Sequence, residues 1–298
     1  PQVHEVAFNQ FVLQQRPEAP ATAASKLKAK GNTYTAAGVA FSVNKASGEI
    51  TSLKNNGKEL LSTPLALSIY RPITENDVNG GNRLWKKQEI SKISQKALKV
   101  SAKGDKVEVA SAIFNKSGKK IGNANYVYSI EGNALNVGCE FLPDTAAIKS
   151  LPRVGLVFRT LAENAATLSY LGRGEVETYA DRKTCGRIAL FTTTPEREYH
   201  HYVTPQSTGN HTDVRWMQLN EAGVKISSRN LFQFSAIPYS DETIDAATHQ
   251  CQVEGDGLVT VHIDAAQTGV GSATCGPDVL PKYRLAIEPY KFNFSFGF

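Results

Sequence analysis

Residues 126–141 read YVYSIEGNALNVGCEF. Tyr126, Tyr128 and Ile130 alternate, Glu131-Gly132-Asn133 supplies a turn, and Leu135, Val137, Cys139 and Phe141 alternate on the way back. A period of two places each set on one face of an extended chain, so the stretch predicts an antiparallel hairpin with one buried face. The pattern recurs outward in both directions. Val259, Val261 and Ile263 alternate after the turn Glu254-Gly255-Asp256-Gly257, and Phe41/Val43 and Val107/Val109 repeat it on shorter runs. The sequence closes on Phe292, Phe294, Phe296 and Phe298, an aromatic row that needs a second sheet to cover it. Helical spacing is confined to Arg83–Leu98, where Trp85, Ile90, Ile93 and Ala97 predict one short helix leading into a strand. Many strands and at most one or two short helices predict an all-β chain built as a large antiparallel sandwich.

Composition sets outer bounds. A chain of 298 residues with 41% hydrophobic and 20% charged residues has length enough for a sizeable core. It has no run of 18 apolar residues, so no helical membrane span is expected. The opening PQVHEVAFNQ lacks a basic lead and an apolar stretch, which predicts no signal peptide, and lacks an initiator Met, which predicts a processed or excised piece. The net charge of +5 is spread over small groups (Lys26, Lys28 and Lys30; Lys86 and Lys87; Lys116, Lys119 and Lys120). No basic face alternates with stacking aromatics, so nucleic acid is not an expected partner. Cys139, Cys185, Cys251 and Cys275 lie far apart and form no CxxC, which argues against a disulfide scaffold or a zinc site. Residues 16–31, RPEAPATAASKLKAKG, read as a linker. Before it, Val3–Leu13 reads as a solitary strand: an arm on the main body, or the last strand of a neighbouring domain.

The chemistry-bearing residues assemble poorly. Glu221 falls in a hairpin turn between Trp216–Leu219 and Val224–Ile226 and is expected to be solvated. Glu175 and Glu177 flank the loop GRGEVETYADR, where Arg173 and Arg182 are expected to neutralise them. His200 and His201 are adjacent, so on an extended chain they point apart; His211 reads as part of a polar turn, and His249 and His262 as isolated strand residues. No nucleophile elbow, phosphate loop or complete dinucleotide fingerprint occurs.

Four ordered segments resemble the small-chain region of the glycoside hydrolase family 2 β-galactosidases. They are FSVNKASGEITSLKNNGKELL at 41–61; RPITEND at 71–77; YLGRGEVETYADRKTCGR at 170–187, continued by YVTPQSTGNHTDVRW at 202–216; and GVGSATCGPDVLPKYRL at 269–285. The second is similar to the family's RPPTDND, and the third to YGRGPxENYxDR and YVxPQENGNRxDxRW. Glu175, Thr178, Ser207 and Thr208 depart from those patterns.

The resemblance implies a galactose mutarotase-like supersandwich over residues 35–298, a linker at 17–34, and a stub strand at 1–16 left from a preceding immunoglobulin-like domain. It implies that no catalytic residue and no metal ligand lies in this chain. The two glutamates, the magnesium and a possible sodium of the full-length enzyme belong to an upstream barrel. The implied partners are the remaining domains of the same chain, a galactoside such as lactose, and further copies in an oligomer. Two loops are expected at the pocket rim. One holds Asn76 and Asp77, with Gly80 and Gly81 permitting lid motion; the other holds Thr274 and Cys275, with Cys275 nearest the position where some relatives carry a sugar-stacking tryptophan. Arg173, Tyr179, Asp181, Arg182, Asp213 and Arg215 are expected to form a buried polar network that holds loops. The alternatives are a stand-alone mutarotase or epimerase, pairing His200 or His201 with Glu177, and a carbohydrate-binding module displaying Tyr170, Tyr179, Tyr199, Tyr202 and Trp216.

Overall fold

The computed structural model describes residues 5–14, 22–271 and 278–298. Five short strands open the fold as a meander: β1 (Lys28–Lys30), β2 (Thr33–Ala36), β3 (Val39–Val43), β4 (Ile50–Asn55) and β5 (Lys58–Glu59), each antiparallel to the next. After β6 (Ala66–Ser68) and helix α1 (Gly81–Gln88) come β7 (Ser94–Lys103), β8 (Lys106–Phe114), β9 (Lys120–Glu131) and β10 (Ala134–Pro143). The rest comprises β11 (Arg153–Leu161), β12 (Leu168–Gly174), β13 (Arg187–Thr193), helix α2 (Pro195–Glu198), β14 (His211–Leu219) and β15 (Val224–Ile237). Helix α3 (Asp241–Ala246), β16 (Leu258–Gln267) and β17 (Tyr290–Gly297) complete the order.

The second sheet runs β13-β12-β14-β15-β17-β10-β9-β8-β7, all antiparallel. It folds back on itself through β15. The first residues of β15 pair with β17 (Ile226 opposite Phe296), and its last residues leave that partner for β16 (Phe234 opposite Ile263). From β16 the ladder continues to β11 and then β6. One 14-residue strand therefore belongs to both layers, as in other sandwiches whose corners are turned by strands that change sheets.

The hairpin read at 126–141 is β9 and β10, with Ile130 opposite Leu135, and its alternating residues are buried. Phe292, Phe294 and Phe296 are buried on β17, while Phe298 is only partly covered. Phe158 of β11 meets Phe296 edge-on at 6.0 Å, and Phe232 of β15 meets Phe294 at 5.5 Å, so the aromatic row has the cover it required. The small meander packs on the same buried face of the hairpin, with Phe41 against Tyr128 at 6.1 Å.

Several expectations need correction. Within the segment read as linker, Ala24 bridges Glu131, Ser25 N donates to Ile130 O, and Lys28–Lys30 pair with β2. A free sheet edge recruited a stretch without apolar periodicity, because backbone pairing needs no side-chain pattern. Residues 5–14 carry no strand. Gln10 instead donates from Nε2 to Ile188 O (2.9 Å) and accepts at Oε1 from Ile188 N (2.7 Å), a side-chain amide standing in for a strand's backbone pair on β13. The helix expected at 83–98 is α1, followed by β7, but the described residues hold three short α-helices. The additional two are single turns started by Thr194 (with Pro195 next) and Ser240, capping residues rather than any hydrophobic period.

Candidate functional site

Arg71 is the centre of one corner of the molecule. It is fully buried, and its guanidinium donates from Nη2 to both oxygens of Asp77 (3.0 and 3.2 Å) and to Gly269 O (3.2 Å). Its Nη1 donates to Gln267 Oε1 (3.0 Å) and Thr268 O (2.8 Å), and its plane lies 5.7 Å from the Trp85 ring centre. Asp77 in turn accepts from the backbone N and hydroxyl of Thr74, which closes the turn at Glu75–Asn79. A buried cation requires such partners. RPITEND thus folds onto itself and at the same time onto the start of the 267–271 segment.

This geometry relocates part of the expected rim. Asp77 is buried, with both oxygens engaged, and acts as an anchor rather than a rim group. Asn76 is half-buried, and a Cβ placed on Gly271 would stand 2.8 Å from its own Cβ. A Cβ on Gly80 would meet the Asp278 carboxylate at 2.0 Å, and one on Gly81 would meet the Trp85 ring at 2.6 Å. Close approach to the buried Trp85 ring requires glycine at 81, whereas the Asp278 carboxylate is the free end of a side chain that can swing away from position 80. Thr274 and Cys275 lie outside the described residues.

The expected polar network divides into separate pieces and is not uniformly buried. Arg173 Nε and Lys183 Nζ both donate to the carboxylate of Asp213 (2.7 Å each), and Arg215 donates to the Asp213 carbonyl. Burial works to raise the Asp213 carboxyl, but those cationic donors outweigh it and hold it below the usual carboxylate range. Asp181 accepts from Val270 N (3.0 Å) and Gly271 N (2.9 Å), pinning the glycine-rich loop. Exposed Arg182 donates to Glu177 (2.7 Å), which also accepts from Tyr202, Thr208 Oγ1 (2.9 Å), Gly209 N (2.9 Å) and Tyr179 (3.3 Å). Glu177 is the hub that links the 170–187 and 202–216 segments; its expected pairing with Arg182 is present, whereas Arg173 pairs with Asp213 and not with Glu175.

A further buried chain connects these corners. Gln267 Nε2 donates to Asn210 Oδ1 (3.0 Å) and Asp264 Oδ2 (3.2 Å), Asn210 donates to Thr178 O (2.8 Å), and Arg153 lies 3.2 Å from Asp264. Burial raises the Asp264 carboxyl despite Arg153 and His262. From Arg71 to Thr178, the quoted segments therefore share one polar interior.

A family model described as beta galactosidase small chain matches residues 35–296. The chain belongs to that family. The β-galactosidase of Kluyveromyces lactis is 31% identical over 99% of this chain, and that of Actinobacillus pleuropneumoniae is 27% identical over 87%. The small-chain domain spans 30% and 26% of those two proteins. Among solved structures, a galactose mutarotase related enzyme from Lactobacillus acidophilus is 9% identical, covers 89% of this chain and 96% of its own, and superposes with a TM-score of 0.47. The sandwich stands on its strand order alone.

The small-chain domain holds groups that its sequence did not announce. His211 is not in a turn; it is fully buried on β14, with Nε2 in contact with the Glu198 carboxylate and Nδ1 3.0 Å from Arg173 O. His262, on β16, lies between Asp241 (3.1 Å) and Ser68 Oγ (3.3 Å), and His249 opens a short helical turn instead of sitting in a strand. The only local signal was Thr194-Pro195, which marks the helix that carries Glu198. His200 lines the same hollow as Glu177, whereas His201 packs on Tyr199 (5.1 Å). Glu177 already accepts from five donors. The residues present do not fit a magnesium site: among the described residues no three His, Cys, Asp or Glu side chains converge.

Proposed function

We propose that this chain is the C-terminal part of a retaining β-galactosidase that hydrolyses terminal β-D-galactosides such as lactose. It supplies no catalytic group. It lends Asn76, Gly80 and Gly81 from one loop and Thr274 and Cys275 from another to the rim of a pocket on an upstream barrel, which carries both glutamates and the magnesium, with sodium where used. Its partners are the other domains of the same polypeptide and further copies of the enzyme. The observation that carries this reading is the family match across 35–296 in a chain only 30% as long as its Kluyveromyces relative. The engaged acids support it. Retention requires a nucleophilic carboxylate roughly 5–5.5 Å from an acid, and here Glu177 accepts from five groups while Glu198 is tied to His211.

The test is turnover of an aryl β-galactoside by the 298-residue chain and by the intact enzyme. The intact enzyme is expected to cleave it and the chain to leave it untouched. Cleavage by the chain at a rate near the intact enzyme's would overturn the assignment. In the intact enzyme, Asn76→Ala is expected to lower kcat/KM about threefold to tenfold, the worth of one hydrogen bond at the rim.

A further inference from the structure

A hollow of about 570 Å³ opens between β12, β13 and the loop that follows α2. That lies within the ~300–1,000 Å³ typical of small-molecule sites. Its walls include Glu175, Phe191, Arg197, Glu198, His200 and Tyr202. Among the described residues, none of 74–82 or 269–271 lines it, so it is separate from the rim held by Arg71.

The floor specifies what the hollow accepts. The Glu198 side chain is 7% exposed, and its Oε2 is taken by His211. His211 Nδ1 faces both the Arg173 carbonyl (3.0 Å) and the Tyr170 hydroxyl (3.2 Å), and Nε2 faces the Glu198 carboxylate. Glu198 Oε1 accepts no hydrogen bond among the described residues. That oxygen is not sealed from solvent and stands open to a donor from a ligand. Arg197, on the opposite side of the balance, makes no ion pair among the described residues and offers donors only. The charges at the wall, three glutamates with Arg182 and Arg197, disfavour a strongly anionic or cationic guest. Aromatic surface completes the lining: His200 and Tyr202 meet edge to face with centres 4.4 Å apart, and Phe191 packs 5.2 Å from Tyr170. A neutral ring whose hydroxyls both donate and accept, and whose carbon face stacks on an aromatic side chain, meets every one of these conditions.

We propose that this hollow binds a pyranose, a galactoside, at a site distinct from the hydrolytic pocket. The preference for galactose among pyranoses rests on the functional reading above; the neutral polyhydroxylated ring rests on the lining alone. Titrating methyl β-D-galactopyranoside into the isotope-labelled chain, followed by NMR, is expected to move the amides of residues 175–177 and 200–202 saturably, with a dissociation constant around ~1 mM. His200→Ala is expected to weaken binding about threefold to tenfold through lost stacking, with an unchanged melting temperature, and Glu175→Gln provides a second variant outside the core. No saturable shift well above ~1 mM, shifts that map to 74–82 instead, or an affinity indifferent to both variants would each overturn the proposal. Methyl β-D-glucopyranoside binding equally well would overturn the galactose preference. In the intact enzyme, His200→Ala is expected to leave aryl β-galactoside turnover unchanged, and a lost turnover would merge the hollow with the hydrolytic pocket and sink the claim of a separate site. An intact wild-type enzyme inert on galactosides would sink the functional reading while leaving the titration result standing.

Discussion

Asp245 shows how one side chain sets a pH response. Burial pushes its carboxyl up from 3.8 to about 6, with Asp241 and Glu242 adding to the rise against a hydrogen bond from Tyr70. The folded value lies above the unfolded one, so the native state binds the proton more tightly than the unfolded chain does. Stability is therefore greatest on the acid side, and this contribution declines as pH climbs from 3.8 through about 6. Asp245→Asn is expected to remove that decline, leaving the variant about 1 kcal/mol more stable than wild type at neutral pH, less than the full shift because water screens this exposed residue, and nearly equal near pH 4. Urea unfolding at a series of pH values checks it; parallel wild-type and variant curves would refute it. At this scale the sequence was legible where partners sit in one motif. Arg71 and Asp77 stand six positions apart inside RPITEND, so their pairing is visible in a short string. Glu198 and His211 stand on separate elements, and nothing local in NHTDV or PERE marks the ring as buried.

Among the elements, period-two alternation fixed the strands, since Tyr126–Ile130 and Leu135–Phe141 must hide the same face wherever the chain goes. It could not show β1 or the single-turn helices, which arise from edge pairing and capping. Turn glycines separate these effects cleanly. Gly132, in the β9–β10 turn, has φ +58 and open space where a methyl group would stand. Gly132→Ala is expected to cost about 1 kcal/mol for the left-handed backbone alone. Gly48 has φ +84, and there a Cβ would stand 2.4 Å from Val109 Cγ1. Gly48→Ala is expected to cost about 1–3 kcal/mol more than Gly132→Ala, because it also overpacks the seam between the meander and β8. Denaturant midpoints compare the two; equal losses would mean that the seam yields.

For the whole molecule, the meander and the large sheet share a single hydrophobic cluster that runs from Tyr34 and Phe41 through Tyr128 to Phe296. Elements that share one interior lose their packing together. Calorimetry and far-UV dichroism are expected to report one coincident unfolding transition for the chain, and two resolved transitions would contradict a common core. The family match and the ordered segments were already visible at this level, because spacing over some 260 positions survives where individual loops drift. The hollow beside β13 was not, since its walls come from stretches that only the strand order brings side by side.

Arg71 holds its own turn with one terminal nitrogen and, with both, reaches a stretch 196 to 198 positions downstream. The two are thus a single inheritable unit despite their distance along the gene. Chimeras that import only one of them from a relative would leave a stranded charge, whereas a double graft would carry the corner across intact.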